Sequence, residues 1–166
     1  MQSNGIKKLM DTTWGGHYVT AYEIFLDNKI FGSGFKSFRE VCKKEKYNLQ
    51  TINQKYNLNL VENGCSTHPH NIYFEVLSEL GLIGFSIFLI VLFLTIFHPF
   101  IKNFKYIIYK SEILILLSII LTFIIPFKPT GSFSSSIFST NMWFFVGFYL
   151  YFVNQLKYNK ITNSNK

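Results

Sequence analysis

Charged residues are scarce in this 166-residue chain, and arginine is nearly absent. Only 15% of the residues are charged, and Arg39 is the one arginine, although the net charge is +7. A nucleic-acid-binding surface combines a basic groove with stacking aromatic residues, and the sequence indicates no such groove. We therefore interpret the positive charge as solvated surface and as a field for an anionic partner, with no nucleic acid bound.

Several motifs of soluble enzymes and secreted proteins are also missing. The GSGF run at 32–35 lacks the third glycine and the preceding strand of a dinucleotide fingerprint, so we interpret it as a flexible turn. No internal repeat is present. The first residues, MQSNGIKKLMDTTWGGH, lack an apolar core of the length that a cleavable signal peptide requires, and none is expected there.

Apolar residues, by contrast, are abundant and fall in blocks toward the C-terminal side. They make up 49% of the chain, which includes 19 Phe. Positions 80–97 carry no charge and approach the roughly 20 residues needed to cross about 30 Å of hydrocarbon. The pattern predicts an integral membrane protein with about three transmembrane helices, the last two being shorter, at about 74–98, 112–127 and 137–153.

The placement of lysines in the short loops predicts the orientation. Lys102, Lys105 and Lys110 lie between the first two predicted spans, and three more lysines lie at the C-terminal end, in a tail at 154–166. Because positively charged short loops stay in the cytoplasm, we expect residues 1–73 on the outer side of the membrane and the C-terminal tail in the cytoplasm.

Both cysteines, Cys42 and Cys65, lie in the predicted outer segment, which is an oxidising place in a bacterial envelope protein. A disulfide there would close a loop of about 24 residues and stabilise it by roughly 3 kcal/mol. The alternative is a zinc site that also uses His68 and His70, but the ligands would be crowded and neither cysteine belongs to a C-x2-C pair. We favour the disulfide, with no metal.

The first 73 residues show mixed periodicity. Residues 16–31 have apolar positions at helical spacing and a stop at Asp27-Asn28, which predicts a short helix. Residues 43–64 are polar and rich in Asn, which predicts a surface loop with room for one helical turn. The predicted fold is thus all-α: about three transmembrane helices preceded by a partly helical, disulfide-linked extracytoplasmic loop domain.

The run STHPHNIYFEVLSELGLIGF at 66–85 is the most informative stretch. Pro69 suits the first position of a helix that would be capped by Ser66, Thr67 or His68 and would run into the first span. Asn71, Glu75 and Glu79 then form one polar stripe, which should face a protein cavity and not lipid. Ser78, Gly81 and Gly84 form a ridge that would let another helix approach closely.

Each of these residues also has a purely structural interpretation. The sole role of Glu75 could be to stabilise its helix by lying near the positive N-terminus, where an acid contributes about 0.3–1 kcal/mol. His68 and His70 could be only capping or surface residues. For Glu79, which lies in the third turn, a hydrogen-bonding or cavity role is favoured.

The arrangement of this run resembles a known family. His70-Asn71, nine residues, Gly81, two residues and Gly84 are similar to the H-N-x9-G-x-x-G signature of the O-antigen ligases and O-antigen polymerases, at the end of their large periplasmic loop. The stretches DNKIFGSGFKSFREVC, CSTHPHN and PFKPTGSF also resemble parts of these proteins. The likeness extends from about Trp14 to Phe152.

The resemblance implies glycosyl transfer outside the cytoplasmic membrane, with no cofactor. The donor would be a glycan linked to undecaprenyl diphosphate, and the acceptor would be the lipid A core in a ligase or another glycan in a polymerase. Such family members have about a dozen membrane helices. The chain is therefore expected to be the C-terminal part of a larger enzyme or to act beside a separate N-terminal half, in contact with membrane lipids.

The resemblance also implies roles for individual residues. His70 would be the catalytic base that takes the proton of the acceptor hydroxyl. The planar fork of Arg39 suits the departing diphosphate, with Lys36 and Lys128 as additional cations, although Arg39 could equally be a solvated surface residue. Asn71, Glu75 and Glu79 complete the predicted substrate-binding set. Two alternatives remain open: a non-catalytic membrane subunit, and a transporter remnant.

Overall fold

A computed structural model of the chain describes residues 14–60, 64–126 and 128–164, and these residues form helices joined by turns, with no strand among them. The all-helical prediction is therefore confirmed. In chain order the elements are α1 (Gly15–Asp27), α2 (Phe38–Val41), a 3₁₀ turn (Glu45–Tyr47), α3 (Leu49–Tyr56), α4 (Ile72–Leu92), a π-helical segment (Phe93–Phe97), α5 (His98–Ile107), α6 (Ser111–Ile124) and α7 (Ser136–Ser164).

The chain divides into two compact units. The first, called the loop unit below, comprises Met1–Ile87 and Pro126–Ser135. The second, called the apolar unit, comprises Phe88–Ile125 and Ser136–Lys166.

Among the described residues of the loop unit, two small cores hold the helices together. One is formed by buried residues of α1, α2 and the 3₁₀ turn, and the other by buried residues of α1 and α3 with Leu60. The predicted disulfide joins Cys42 to Cys65, with Cα atoms 5.2 Å apart, and Cys42 is itself part of the first core. Since the two sulfurs are bonded to each other, the alternative zinc site is not formed. The members of the two cores are Ala21, Ile24, Phe38, Cys42 and Tyr47, and Val19, Ile52 and Leu60.

The asparagine-rich stretch is more helical than its composition predicted. Asn48 caps α3 by accepting a hydrogen bond from the amide of Thr51 at 2.8 Å, and Asn57 ends the helix in the left-handed conformation with φ 51. Asparagine suits both positions because its short polar side chain can bond locally to the backbone. The predicted surface loop at 43–64 is thus wrong where α3 lies, and positions 61–63 of it lie outside the described residues.

Helix α4 begins three residues later than predicted. Pro69 is not its first residue, because His70 has φ 56 and so interrupts any helix that starts before it. Asn71 caps α4 instead, and its side-chain oxygen accepts hydrogen bonds from the amides of Tyr73 and Phe74. An αL residue followed by an Asn cap therefore replaces the expected Pro start.

A loop, and not another helix, makes the close approach at the small residues of α4. Gly81 has φ 65 and ψ −166, so α4 is not helical there. A Cβ at Gly81 would lie 2.4 Å from the carbonyl oxygen of Ile30, and one at Gly32 would lie 2.3 Å from the backbone of Glu79. Backbone hydrogen bonds join the two segments: Leu82 N to Lys29 O (2.8 Å), Ile83 N to Ile30 O (3.3 Å), Ser33 N to Ser78 O (2.9 Å) and Gly34 N to Glu79 O (2.9 Å).

Among the residues that the structure describes, two helices are long and apolar enough to cross a membrane, Ile72–Ile107 and Ser136–Leu156. Helical structure continues past positions 98 and 153, over α5 and the end of α7. The middle span is represented by α6, whose 14 residues are fewer than the roughly 20 that a crossing needs. Position 127, its predicted end, lies outside the described residues, and three crossings remain a prediction.

Candidate functional site

His70 lies just before α4 in a strained backbone conformation. Its φ of 56 places a non-glycine residue in the left-handed region, and the amide of Thr130 donates a hydrogen bond of 2.8 Å to its carbonyl oxygen. Such strain costs about 1–3 kcal/mol and persists only where surrounding contacts enforce it. The loop unit therefore fixes the direction of the His70 side chain from two segments of the chain.

Three aromatic rings surround the His70 imidazole. Ring centroids of His68, Trp14 and His17 lie 4.1, 4.8 and 5.0 Å from that of His70. His17 is buried on α1, and His70 is half-buried. We call Trp14, His17, His68 and His70 the histidine cluster.

Hydrogen bonds assign the tautomers of two of these rings. Nδ1 of His17 lies 2.9 Å from the carbonyl oxygen of Gly64, which can only accept, so Nδ1 carries the proton. The hydroxyl of Ser66 donates to the carbonyl oxygen of His68 at 2.7 Å, so its oxygen accepts from Nε2 of His70 at 3.3 Å. This leaves Nδ1 of a neutral His70 with the free lone pair.

The surroundings of His70 lower its pKa from 6.5 to about 4, first through burial and then through the charges of His68 and His17, with Glu75 acting in the opposite direction. Burial lowers the pKa of an imidazole because the charged form loses its hydration. His70 is therefore neutral near pH 7 and able to accept a proton.

Glu75 and Asn71 bind the segment that follows α6 in the chain, within the loop unit. Asn71 donates to the carbonyl oxygen of Pro126 at 2.7 Å. Both residues are buried, at 2% exposure each. The carboxylate of Glu75 accepts hydrogen bonds from the Ser132 hydroxyl at 2.6 Å, the Phe133 amide at 2.8 Å, and the amide and hydroxyl of Ser134 at 3.1 and 2.8 Å.

Glu79 binds the turn that carries Lys36 and the first residue of α2, the helix that carries Arg39. Its carboxylate accepts hydrogen bonds from the backbone amides of Lys36 and Phe38, at 2.9 and 3.1 Å. The side chains of Lys36 and Arg39 are exposed. The predicted polar stripe therefore binds loops of the same unit and does not line an open cavity.

The disulfide and one hydrogen bond relate the predicted cations to His70. Cys42 follows Arg39 by three residues, and Cys65 precedes His70 by five, so the bridge links these two segments. Lys128 is exposed and lies two residues before Thr130, whose amide binds the His70 carbonyl. No hydrogen bond or ring contact joins Arg39 to the histidine cluster among the described residues.

The sequence interpretation missed Trp14 and His17. Both lie far from His70 in the chain, and α1 was interpreted only through its apolar residues. A signal was present in the Gly15-Gly16 pair before His17, since glycines permit close approach. In the structure the close approach to α1 is made by Gly64, where a Cβ would lie 2.1 Å from the carbonyl oxygen of Gly16.

Comparison with protein families relates part of this chain to a known family. Residues 17–89 match the model of the O-antigen ligase family. The matched range begins at His17, includes the disulfide and His70, and ends within α4. Searches of curated proteins and of solved structures give no match.

Proposed function

We propose that this chain, whose residues 17–89 match the O-antigen ligase family, carries the acceptor-activating part of a membrane glycosyltransferase in lipopolysaccharide or surface polysaccharide synthesis. The enzyme would transfer a glycan from undecaprenyl diphosphate to a sugar hydroxyl of the lipid A core. The observation that carries this proposal is the enforced position of a neutral His70 inside the matched range.

The chemistry requires a base and a means to stabilise the leaving group. Nδ1 of His70 takes the proton from the acceptor hydroxyl, whose oxygen forms the new glycosidic bond while the bond from the glycan to the lipid diphosphate breaks. The imidazolium then returns the proton to solvent. His17 and His68 would position the ring, since they contact it and Nδ1 of His17 is already bound to Gly64.

The lipid diphosphate leaves with negative charge, and fixed cations lower the cost of that charge. Lys36, Arg39 and Lys128 are exposed and therefore available to it. Glu79 holds the backbone of the turn that carries Lys36, and we assign it a positioning role. We assign the same role to Asn71 and Glu75, which hold the segment after Pro126.

The proposed place of the protein is the bacterial inner membrane, as a multi-pass protein. The helix at Ile72–Ile107 would carry the chain from the periplasm, where His70 meets the lipid-linked glycan, toward the cytoplasm. Residues 1–73 would then be periplasmic and the C-terminus cytoplasmic. The lysines after position 101 support this orientation.

The test is a His70→Gln substitution at the chromosomal locus, with His98→Gln as the matched control because His98 is exposed and outside the histidine cluster. Lipopolysaccharide is separated by gel electrophoresis. We expect His70→Gln to lower the rate of glycan attachment by about 10²- to 10⁴-fold, the usual contribution of a general base. The control should be unchanged, and both variants should be present in the membrane at equal amounts.

The gel pattern separates the alternatives. Loss of a ligase leaves lipid A core without glycan, whereas loss of a polymerase leaves cores that carry one repeat unit. Unchanged lipopolysaccharide in the His70→Gln strain would overturn the catalytic proposal and favour a non-catalytic subunit. In membranes, the rate for the unsubstituted protein should fall with acid only near the lowered His70 pKa of about 4, and not near 6.5.

A further inference from the structure

The hydrogen bonds at the break in α4 fix the level of the 29–36 segment along that helix. Its amides and carbonyls bond to the backbone of α4 between Ser78 and Ile83. The uncharged run of α4 begins at Leu80, directly after Glu79. The segment therefore lies where the helix changes from charged to apolar, which is the level of the membrane surface in a helix that crosses it.

The side chains of the 29–36 segment suit that level. Ile30, Phe31 and Phe35 are 58%, 77% and 64% exposed, far more than is usual for such residues in a loop surrounded by water. Lys29 and Lys36 flank them and are exposed, and the segment contains no acidic residue. Apolar tips between lysines are typical of segments that insert into a membrane surface.

The exposed apolar surface also continues onto the helix. Leu82, Ile83 and Ile87, in the same unit, are 49%, 47% and 57% exposed. Their helix is apolar from Leu80 onward, so these side chains face lipid when the helix crosses a membrane. The amides of Leu82 and Ile83 are the ones that bind the 29–36 segment, so the two apolar surfaces are adjacent.

We propose that the 29–36 segment is a membrane-surface anchor, which inserts Ile30, Phe31 and Phe35 among phospholipids and places Lys29 and Lys36 against anionic headgroups. The anchor explains the break in α4. In hydrocarbon, the backbone groups freed at Gly81 would cost several kcal/mol each, and the segment satisfies them. This inference depends on α4 entering the membrane and not on the chemistry proposed for His70.

Spin labelling of the full chain in nanodiscs that contain anionic lipid tests the proposal. Both cysteines form the disulfide, so a new cysteine is the one labelled site. Phe31→Cys is the test position, Ile87→Cys is the lipid reference, and Gln50→Cys, at an exposed position of α3, is the water reference. The measurement is the ratio of two collision rates of the spin label. One is with oxygen, which enters lipid, and the other is with a nickel chelate, which does not.

We expect the ratio at position 31 to be several times that at position 50 and to approach that at position 87. A Lys29→Glu substitution should lower the ratio at 31, whereas Lys44→Glu, at an exposed position outside the segment, should not. A ratio at 31 equal to that at 50 would overturn the anchor, as would a label at 31 that neither reagent reaches, because protein then covers it. A water-like ratio at 87 overturns the membrane position of α4 and the anchor with it.

Discussion

The loop unit and the apolar unit are both helical, but different kinds of contact hold their helices in place. In the loop unit, buried carboxylates and a disulfide specify which segment meets which: Glu75 binds the segment around Phe133, and Glu79 binds the turn at Lys36. In the apolar unit, α6 and α7 meet mainly through apolar and aromatic side chains such as Phe123 and Phe138, whose rings are 5.4 Å apart. Apolar contacts tolerate repacking, whereas a buried carboxylate without its donors is costly. Directional contacts are thus concentrated in the unit that carries the proposed site at His70.

The largest difference between the units should appear in the loss of stability caused by replacing a glycine with alanine. Gly81→Ala forces a side chain into a conformation with φ 65, and its Cβ meets the backbone of Ile30 at 2.4 Å. Strain and overlap together should lower the free energy of unfolding by about 4 kcal/mol. Gly147→Ala in α7 is the control, because nothing lies within 4 Å of its Cβ. Thermal unfolding in detergent, followed by circular dichroism, should show a loss for the first variant only; equal midpoints would contradict the close approach.

Removal of the disulfide should have the next largest effect. Cys42→Ser with Cys65→Ser removes a cross-link between residues 23 apart in the sequence, which lowers stability by about 3 kcal/mol in the chain-entropy account. The bridge joins the segments of Arg39 and His70, so activity should fall with it. Reductant should produce the same loss in the unsubstituted protein and none in the double variant. A reductant effect that persists in the double variant would show that the loss has another origin.

Glu75→Gln should cost less than either, about 2 kcal/mol, because one carboxylate oxygen becomes an NH₂ group that cannot accept a hydrogen bond. At the Oε2 position this group loses the bond from the Phe133 amide, and at the Oε1 position it loses the bonds from Ser132 and Ser134. The matched control in the apolar unit is Glu112→Gln, since Glu112 is exposed at the start of α6. Limited proteolysis near position 133 should accelerate for Glu75→Gln alone. Similar cleavage of both variants would remove the distinction between anchored and exposed carboxylates.

Sequence patterns predicted the all-helical fold and the disulfide because both depend on local signals: apolar periodicity, a helix stop at Asp27-Asn28 and two cysteines in one predicted compartment. They could not predict the partners of Glu75 and Glu79, which lie more than 40 residues away in the chain. The Asn71-Glu75-Glu79 spacing shows which face of the helix is polar, but not whether a cavity, another helix or a loop covers that face. His17 was missed for the same reason, as its ring meets His70 only through tertiary structure.

The smallest predicted effect on stability concerns a directional contact inside the apolar unit. Tyr149 is fully buried there, and its hydroxyl donates a hydrogen bond of 3.1 Å to the carbonyl oxygen of Ile96. Ile96 lies in the π-helical segment, where the regular bonding of an α-helix is interrupted and carbonyls are left for other donors. Tyr149→Phe should therefore lower stability by about 1 kcal/mol, whereas Tyr151→Phe, at an exposed position, should leave it unchanged.

Calorimetric or optical melting of the two tyrosine variants in the same detergent decides the point. If Tyr149→Phe costs as much as Glu75→Gln, the apolar unit relies on directional contacts as strongly as the loop unit, and the comparison fails. A cost near that of one hydrogen bond supports the difference between the units. In both units, polar groups from elsewhere in the chain bind helix backbone where it departs from α-geometry, beside Gly81 in one and at Ile96 in the other, so that these backbone groups keep hydrogen-bond partners.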